Sequence, residues 1–274
     1  MRALQRAKSL IEKEGFLYFV VRKIAQVLRV DLDGVQRVKN KVLKKLVERH
    51  DMRVAYGPFR GMKLNSSVWW SKNDLITQML GVYEEHVMDK LVEFSRSGID
   101  KFIDIGAADG YFCVGAAYGG LFKRVIAFEI SLKGQEHIKE NASSNQCFDK
   151  ILVRGEASHS SLSDVLSDVC QSVILIDIEG EEYRFLDEKM LQLFSKHFVI
   201  CELHPWLVEG GSDEEDSLIS RASFYFDCAM IRREVYRPND FDELSEFNDE
   251  ERLIAVGEGR EKNMNWLVLS PKVS

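Results

Sequence analysis

Two short pieces of this chain concentrate groups that move protons or hold cations, Asp177-Ile178-Glu179-Gly180 and Glu202-Leu203-His204. Each closes an apolar run, Ser172 to Ile178 and Phe198 to Leu203, of the length expected for a buried strand. Residues two apart on a strand point to one side, and neighbouring strands lie about 4.8 Å apart. Asp177, Glu179, Glu202 and His204 are therefore expected to converge at the mouth of a cofactor site at the strand ends. Such a cluster has three readings. His204 is a general base whose ring a carboxylate orients, a task suited to a side chain that titrates near neutrality. Alternatively, Asp177, Glu179 and Glu202 hold a divalent ion such as Mg²⁺, which prefers carboxylate oxygens. In the third, Glu202 and His204 merely cap the strand end and bind helix termini or water.

A third piece follows the run Lys101 to Ile105 and reads Gly106-Ala107-Ala108-Asp109-Gly110-Tyr111. Glycines between a strand and a helix let backbone approach a ligand, and the helix start offers unpaired N–H groups. A dinucleotide loop of the G-x-G-x-x-G type needs glycine at 106, 108 and 111, but the chain supplies Gly106, Ala108 and Tyr111. The acidic-x-G-x-G-x-G loop of methyltransferases that use S-adenosylmethionine (SAM) fits better, with Asp104, Gly106 and Gly110 in place and Ala108 for the middle glycine. The bland alternative is a tight turn with no ligand. The next run ends at Glu129-Ile130, where a carboxylate can accept hydrogen bonds from both ribose hydroxyls; its bland alternative is a surface glutamate. The run after that ends at Gly155-Glu156-Ala157, placed to flank an adenine. All these positions fall at C-terminal strand ends, where open α/β sheets bind ligands. The expected cofactor residues are Asp104, Gly106, Ala107, Ala108, Gly110, Tyr111, Glu129, Ile130, Glu156, Ala157 and Asp177.

The elements that must position these groups alternate. Strands are expected at Lys101–Ile105, Arg124–Ile130, Lys150–Arg154, Ser172–Ile178 and Phe198–Leu203. Helices are expected between them at Tyr111–Tyr118, Leu132–Ser144, Leu162–Val169 and Glu181–His197. Apolar runs alternating with helices imply a parallel sheet covered on both faces. Beyond Pro205, an acidic loop and helix (Gly210 to Phe226) precede two runs, Arg252–Gly257 and Trp266–Leu269, close enough together to pair antiparallel. The expected fold is α/β, a Rossmann-like class I methyltransferase sheet that is parallel with a C-terminal antiparallel hairpin, preceded by an α-helical N-terminal extension. Residues 1–50 form that extension, two helices parted near Asp31-Leu32-Asp33-Gly34. Residues 51–97 supply a short hairpin around Gly57, Pro58 and Gly61, then a helix from Lys72 to Arg96 that covers the pocket. Residues 98–274 are the SAM-binding domain.

Taken together, the residues resemble the FkbM-like SAM-dependent methyltransferases. The resemblance rests on Asp104-Ile-Gly-Ala-Ala-Asp-Gly-Tyr111, Phe128-Glu129 and Asp177-Ile-Glu-Gly-Glu-Glu182, with Tyr56-Gly-Pro-Phe-Arg-Gly-Met-Lys63 and Leu80-Gly-Val-Tyr-Glu84 upstream. It covers residues 53 to 270 and implies methyl transfer from SAM to a hydroxyl, often on a sugar or polyketide-type acceptor. Ala108 and Asp109 depart from the family, whose members often carry Asn and a hydrophobic residue there.

Charge and composition narrow the partners. Residues 1–50 hold thirteen Lys or Arg against five Asp or Glu, whereas the rest holds 24 against 39. An acidic body does not suit a nucleic-acid binder. The basic head is expected to pack on its own domain, to form a homodimer arm, or to lie on an anionic membrane as a peripheral amphipathic segment. No run is long and apolar enough to span a bilayer, and no secretory signal is evident, so the protein is expected in the cytoplasm. Five dispersed cysteines read as buried or partly buried free thiols. Trp69, Trp70 and Trp206 are candidates for a sugar platform or for ordinary packing. His50, His86, His137, His159 and His197 lack ligand spacing. Two other functions stay open, a non-catalytic SAM-binding scaffold and an NAD-linked oxidoreductase.

Overall fold

The computed structural model describes residues 34–65, 74–168, 170–232, 237–260 and 262–272. The first helix expected in the basic head, Trp69, Trp70 and Val169 lie outside them. The opening helix α1 (Gly34–His50) packs Val42 and Leu46 into the core. Then come α2 (Leu75–Leu80), α3 (Glu85–Arg96), β1 (Lys101–Ile105), α4 (Tyr111–Tyr118), β2 (Arg124–Phe128), α5 (Leu132–Ser144) and β3 (Ile151–Arg154). The second half holds α6 (His159–Val165), β4 (Ser172–Ile176), α7 (Glu182–Phe185), α8 (Glu188–Phe194), β5 (Phe198–Leu203), α9 (Gly211–Ala222), β6 (Phe226–Arg232), α10 (Asp249–Val256) and β7 (Asn265–Pro271). The strands form one sheet in the order β3-β2-β1-β4-β5-β7-β6. The first five pair in parallel, and β7 runs antiparallel to both β5 and β6. This is the Rossmann-like class I methyltransferase sheet expected from the sequence.

Alternation along the strands fills two cores. Phe102, Val125, Val173, Leu175 and Ile200 face one side, against α2 to α5 and α1. Ile103, Ile105, Ile126, Ile174, Ile176, Val199 and Cys201 face the other, under α6 to α9. With both faces covered, β1 and β4 are buried at every position and mostly apolar, with Lys101, Asp104 and Ser172 the buried polar exceptions. No helix of the described residues is long and apolar enough to cross a membrane.

The closing hairpin corrects the sequence reading. Residues 252–257 are not a strand but lie in α10 and its cap, which Asn248 and Glu251 close with a reciprocal capping box. The partner of β7 is β6, which starts at Phe226, the residue expected to end a helix. The helix expected over Lys72–Arg96 is two, parted by Gly81. At φ +76°, a Cβ on Gly81 would lie 2.1 Å from the carbonyl oxygen of Tyr56. The helix expected over Glu181–His197 also divides, where the Asp187 side chain accepts the Met190 N–H and starts α8. A single antiparallel bridge, Arg53 to Lys63, represents the lead-in hairpin. Helix α1 packs on α10, with Lys41 2.8 Å from Glu251, and its His50 lies 3.0 Å from Glu243 in the turn before α10, so this half of the basic head lies against its own chain. All five cysteines are free; Cys170 is exposed rather than buried.

Candidate functional site

Strand register sets the site. Ile105 pairs with Phe128 and Ile176, and Ile176 pairs with Cys201. The residues that follow, Gly106, Glu129, Asp177 and Glu202, therefore leave that row of the sheet at one level. Strands β2 and β4 stop at Phe128 and Ile176, sooner than expected, so Glu129, Asp177 and Glu179 stand in exit loops. Gly106 has φ +86°, and a Cβ there would lie 1.8 Å from the Asp177 carbonyl oxygen. This glycine lets two exit loops touch.

On the β1–β2 side the loops form a cleft of about 730 Å³, within the range of small-molecule sites. Gly106, Ala108, Glu129, Ile130, Ser131, Glu156, Ala157, Asp177 and Glu179 line it, with Arg184 and Phe185 of α7. Glu129 is nearly buried and its carboxylate is pinned from both ends. The Ala108 N–H donates to Oε2 at 2.9 Å, and the Ser131 N–H to Oε1 at 2.8 Å. Ala108 adopts a left-handed conformation (φ +48°), uncommon for a residue with a Cβ. Gly134 makes room for the glutamate, since a Cβ there would lie 2.7 Å from Glu129 Cγ. Behind the loop, Asp104 is buried and its Oδ2 has no hydrogen-bond partner. Burial, aided by the Asp177 carboxylate, raises its pKa to about 7.

At the β4–β5 end the charges face one another. The His204 side chain is buried, and Glu182 holds it. Glu182 Oε1 accepts the His204 backbone N–H at 2.6 Å and lies 3.2 Å from Nδ1, while Oε2 accepts the Gly180 N–H at 2.8 Å. Burial pushes the Glu182 pKa up, but its hydrogen bonds to His204 outweigh this and leave it below the usual value. Burial works downward on His204, and the Glu182 hydrogen bond with the nearby carboxylates raises it above its ordinary range. The other ring nitrogen, Nε2, lies 3.8 Å from Asp177 Oδ1, from Glu179 Oε2 and from Glu202 Oε2. Burial raises the pKa of both Asp177 and Glu179. Glu179 is half-exposed and left-handed (φ +53°). The ring of Trp206, partly exposed, stands edge-on to His204 with centroids 5.5 Å apart.

Glu202 corrects one expectation. It has no exposed side-chain surface and does not reach the cleft mouth. It lies behind the cluster, 3.4 Å from Arg260 Nη1. Arg260 also lies 3.2 Å from Glu258 Oε2 and from the Tyr83 hydroxyl, and it pairs with Glu84. Burial, then the Asp177 and Glu84 carboxylates, push the Glu202 pKa well up.

The remaining expected residues divide. Ala107, Gly110 and Tyr111 do not line the cleft. The Tyr111 ring packs edge-on against Phe59 and Tyr83 in the core behind it. His197 is buried and structural, its Nδ1 accepting the Ser172 N–H at 3.1 Å. Glu182, Arg184, Gly134 and Arg260 belong to the site without being expected in it. Glu182 was visible as the acidic residue closing the Asp177 motif, whereas Arg260 carries no local signal.

No family model and no curated protein matches the chain. Its fold is similar to several solved structures. A precorrin-6y C5,15-methyltransferase from Geobacter metallireducens is 10% identical over 77% of this chain and 94% of its own, with a TM-score of 0.48. An O-methyltransferase from Bacillus cereus, solved in complex with SAH, is 13% identical over 92% and 97%, with a TM-score of 0.43. A geranyl diphosphate C-methyltransferase from Streptomyces coelicolor is 10% identical over 76% and 89%, with a TM-score of 0.42. Similarity at this level describes a fold.

Proposed function

We propose that the chain is a SAM-dependent methyltransferase acting on a hydroxyl, with a saccharide or glycan precursor as acceptor. One observation carries the reading. A carboxylate pinned by two backbone N–H groups lines a cleft of about 730 Å³, and an imidazole pinned by a second carboxylate stands beside Asp177 and Glu179, which line the same cleft. Glu129 is placed to accept the ribose hydroxyls, and Gly106, Ala108 and Ile130 surround it. Glu156 and Ala157 flank the adenine position. Bound SAM supplies a methyl group already activated on a sulfonium, so much of the catalysis comes from holding acceptor and methyl in line.

A neutral sugar hydroxyl is a poor nucleophile and must lose its proton. His204, Asp177 and Glu179 are the groups that promote that loss. Glu182 fixes the imidazole ring, and Glu202 backs the cluster from within the core. Trp206 offers a flat, partly exposed ring beside His204 on which a pyranose can stack. The test is formation of S-adenosylhomocysteine by purified protein across a panel of free and lipid-linked saccharides. Turnover with at least one of them is expected; SAM binding without turnover on any hydroxyl acceptor would leave a SAM-binding scaffold instead.

A further inference from the structure

Three carboxylate oxygens stand at 3.8 Å from one ring nitrogen, too far for hydrogen bonds to it. That spacing suits ligands sharing a centre. An ion with ligands at about 2.1 Å places adjacent ones about 3.0 Å and opposite ones about 4.2 Å apart. Nε2 of His204 and one oxygen each of Asp177 and Glu179 lie within 4.8 Å of one another, so a small swing of the half-exposed Glu179 closes the set. Glu182 beside Nδ1 selects the tautomer that leaves the Nε2 lone pair facing the carboxylates, as the outer partner of a metal-ligating histidine does.

A separate observation points to a cation. Glu202 Oε2, in a side chain with no exposure whose other oxygen meets Arg260, receives no N–H donor and faces the same nitrogen. Asp177 Oδ1 is likewise buried without an N–H donor. Buried carboxylate oxygens without N–H donors are costly unless a proton held between them or a positive charge meets them, and a cation bound at this cluster displaces that proton.

We infer that Asp177, Glu179 and His204 bind a divalent cation of the first transition row, with Glu182 orienting the ring and Glu202 facing the ion from the core. One nitrogen and two carboxylate oxygens suit an ion such as Mn²⁺ better than an all-oxygen site would. Three protein ligands leave coordination positions open towards the cleft. An ion there lowers the cost of ionising a hydroxyl brought against it. That role rests on the methyl-transfer reading; the ion site rests on the side chains alone.

The test is titration of the full chain with Mn²⁺ followed by electron paramagnetic resonance. One ion per chain is expected, with an imidazole nitrogen coupling in pulsed spectra. Asp177→Asn and Glu179→Gln should each weaken binding by about tenfold or more, Glu182→Gln by about tenfold, and His204→Asn should abolish the coupling. Glu179→Gln changes a half-exposed side chain, so loss of binding there is not loss of the fold. No Mn²⁺ binding by the unaltered chain, unchanged affinity in the Asp177 and Glu179 variants, or bound Mn²⁺ without nitrogen coupling would overturn the site. Calorimetry with SAM on the same samples separates the two readings. Mn²⁺ bound as expected without SAM affinity sinks methyl transfer and leaves the ion site standing.

Discussion

The two ends of the cleft solve the problem of a buried carboxylate in opposite ways. At the β1–β2 end, Glu129 receives two backbone N–H donors from the loops on either side of it. At the β4–β5 end, Asp177, Glu179 and Glu202 crowd one histidine nitrogen, and Asp177 Oδ1 and Glu202 Oε2 receive no backbone N–H. At the first end the Glu129 carboxylate is satisfied as folded, and under the proposed function it holds a neutral sugar edge. The second gathers more carboxylates than cations and is the end at which the ion site is proposed. Binding and chemistry should therefore separate along the cleft.

The strongest way to break this division is His204→Asn. Turnover should fall by about 10²- to 10⁴-fold, the usual worth of a proton-transfer group. SAM affinity should stay within about threefold, because the ring lies at the far end from Glu129. Comparable losses in both would dissolve the distinction between the two ends. The converse variant, Glu129→Ala, should raise the Kd for SAM by about 30- to 100-fold, on the order of one hydrogen bond to a charged group. Turnover at saturating SAM should recover to within several-fold, and an unchanged Kd would remove Glu129 from the ribose position.

Asp104 sharpens the comparison through pH. Its folded pKa of about 7 exceeds the unfolded value near 3.9, so between those values the folded state binds more protons. Its contribution to stability therefore declines as pH rises from about 4 to about 7 and is flat above. Asp104→Asn should gain on the native chain between pH 5 and pH 8 in urea denaturation, and an equal difference at both pH values would contradict this. The smallest effect expected is from Ala108→Gly. Relief of a left-handed alanine should stabilise the fold by about 1 kcal/mol, read as a shift in Tm.

The same division decides what the sequence made legible. The glycine loop, Glu129 and the five parallel strands are encoded locally, each within a few residues of an apolar run. Asp177, Glu179 and His204 were also expected together, because adjacent strand ends must meet. What escaped depended on distant partners. Arg260 reaches Glu202 from 58 residues away, and nothing near either residue announces the pairing. β6 is an edge strand paired only through β7, so half its residues face water and the apolar signal is diluted. Residues 252–257 are apolar enough to suggest a strand. The Asn248 and Glu251 capping box, with acidic residues in the first turn, was the sign of a helix that outweighed them. The Gly81 break was equally readable, since a left-handed glycine ends a helix.

Calorimetric titration of the purified chain with SAM, S-adenosylhomocysteine and NAD tests the cleft most directly. Saturable one-to-one binding of both sulfur nucleosides is expected, with no heat from NAD. Silence towards both, or a preference for NAD, would contradict the assignment.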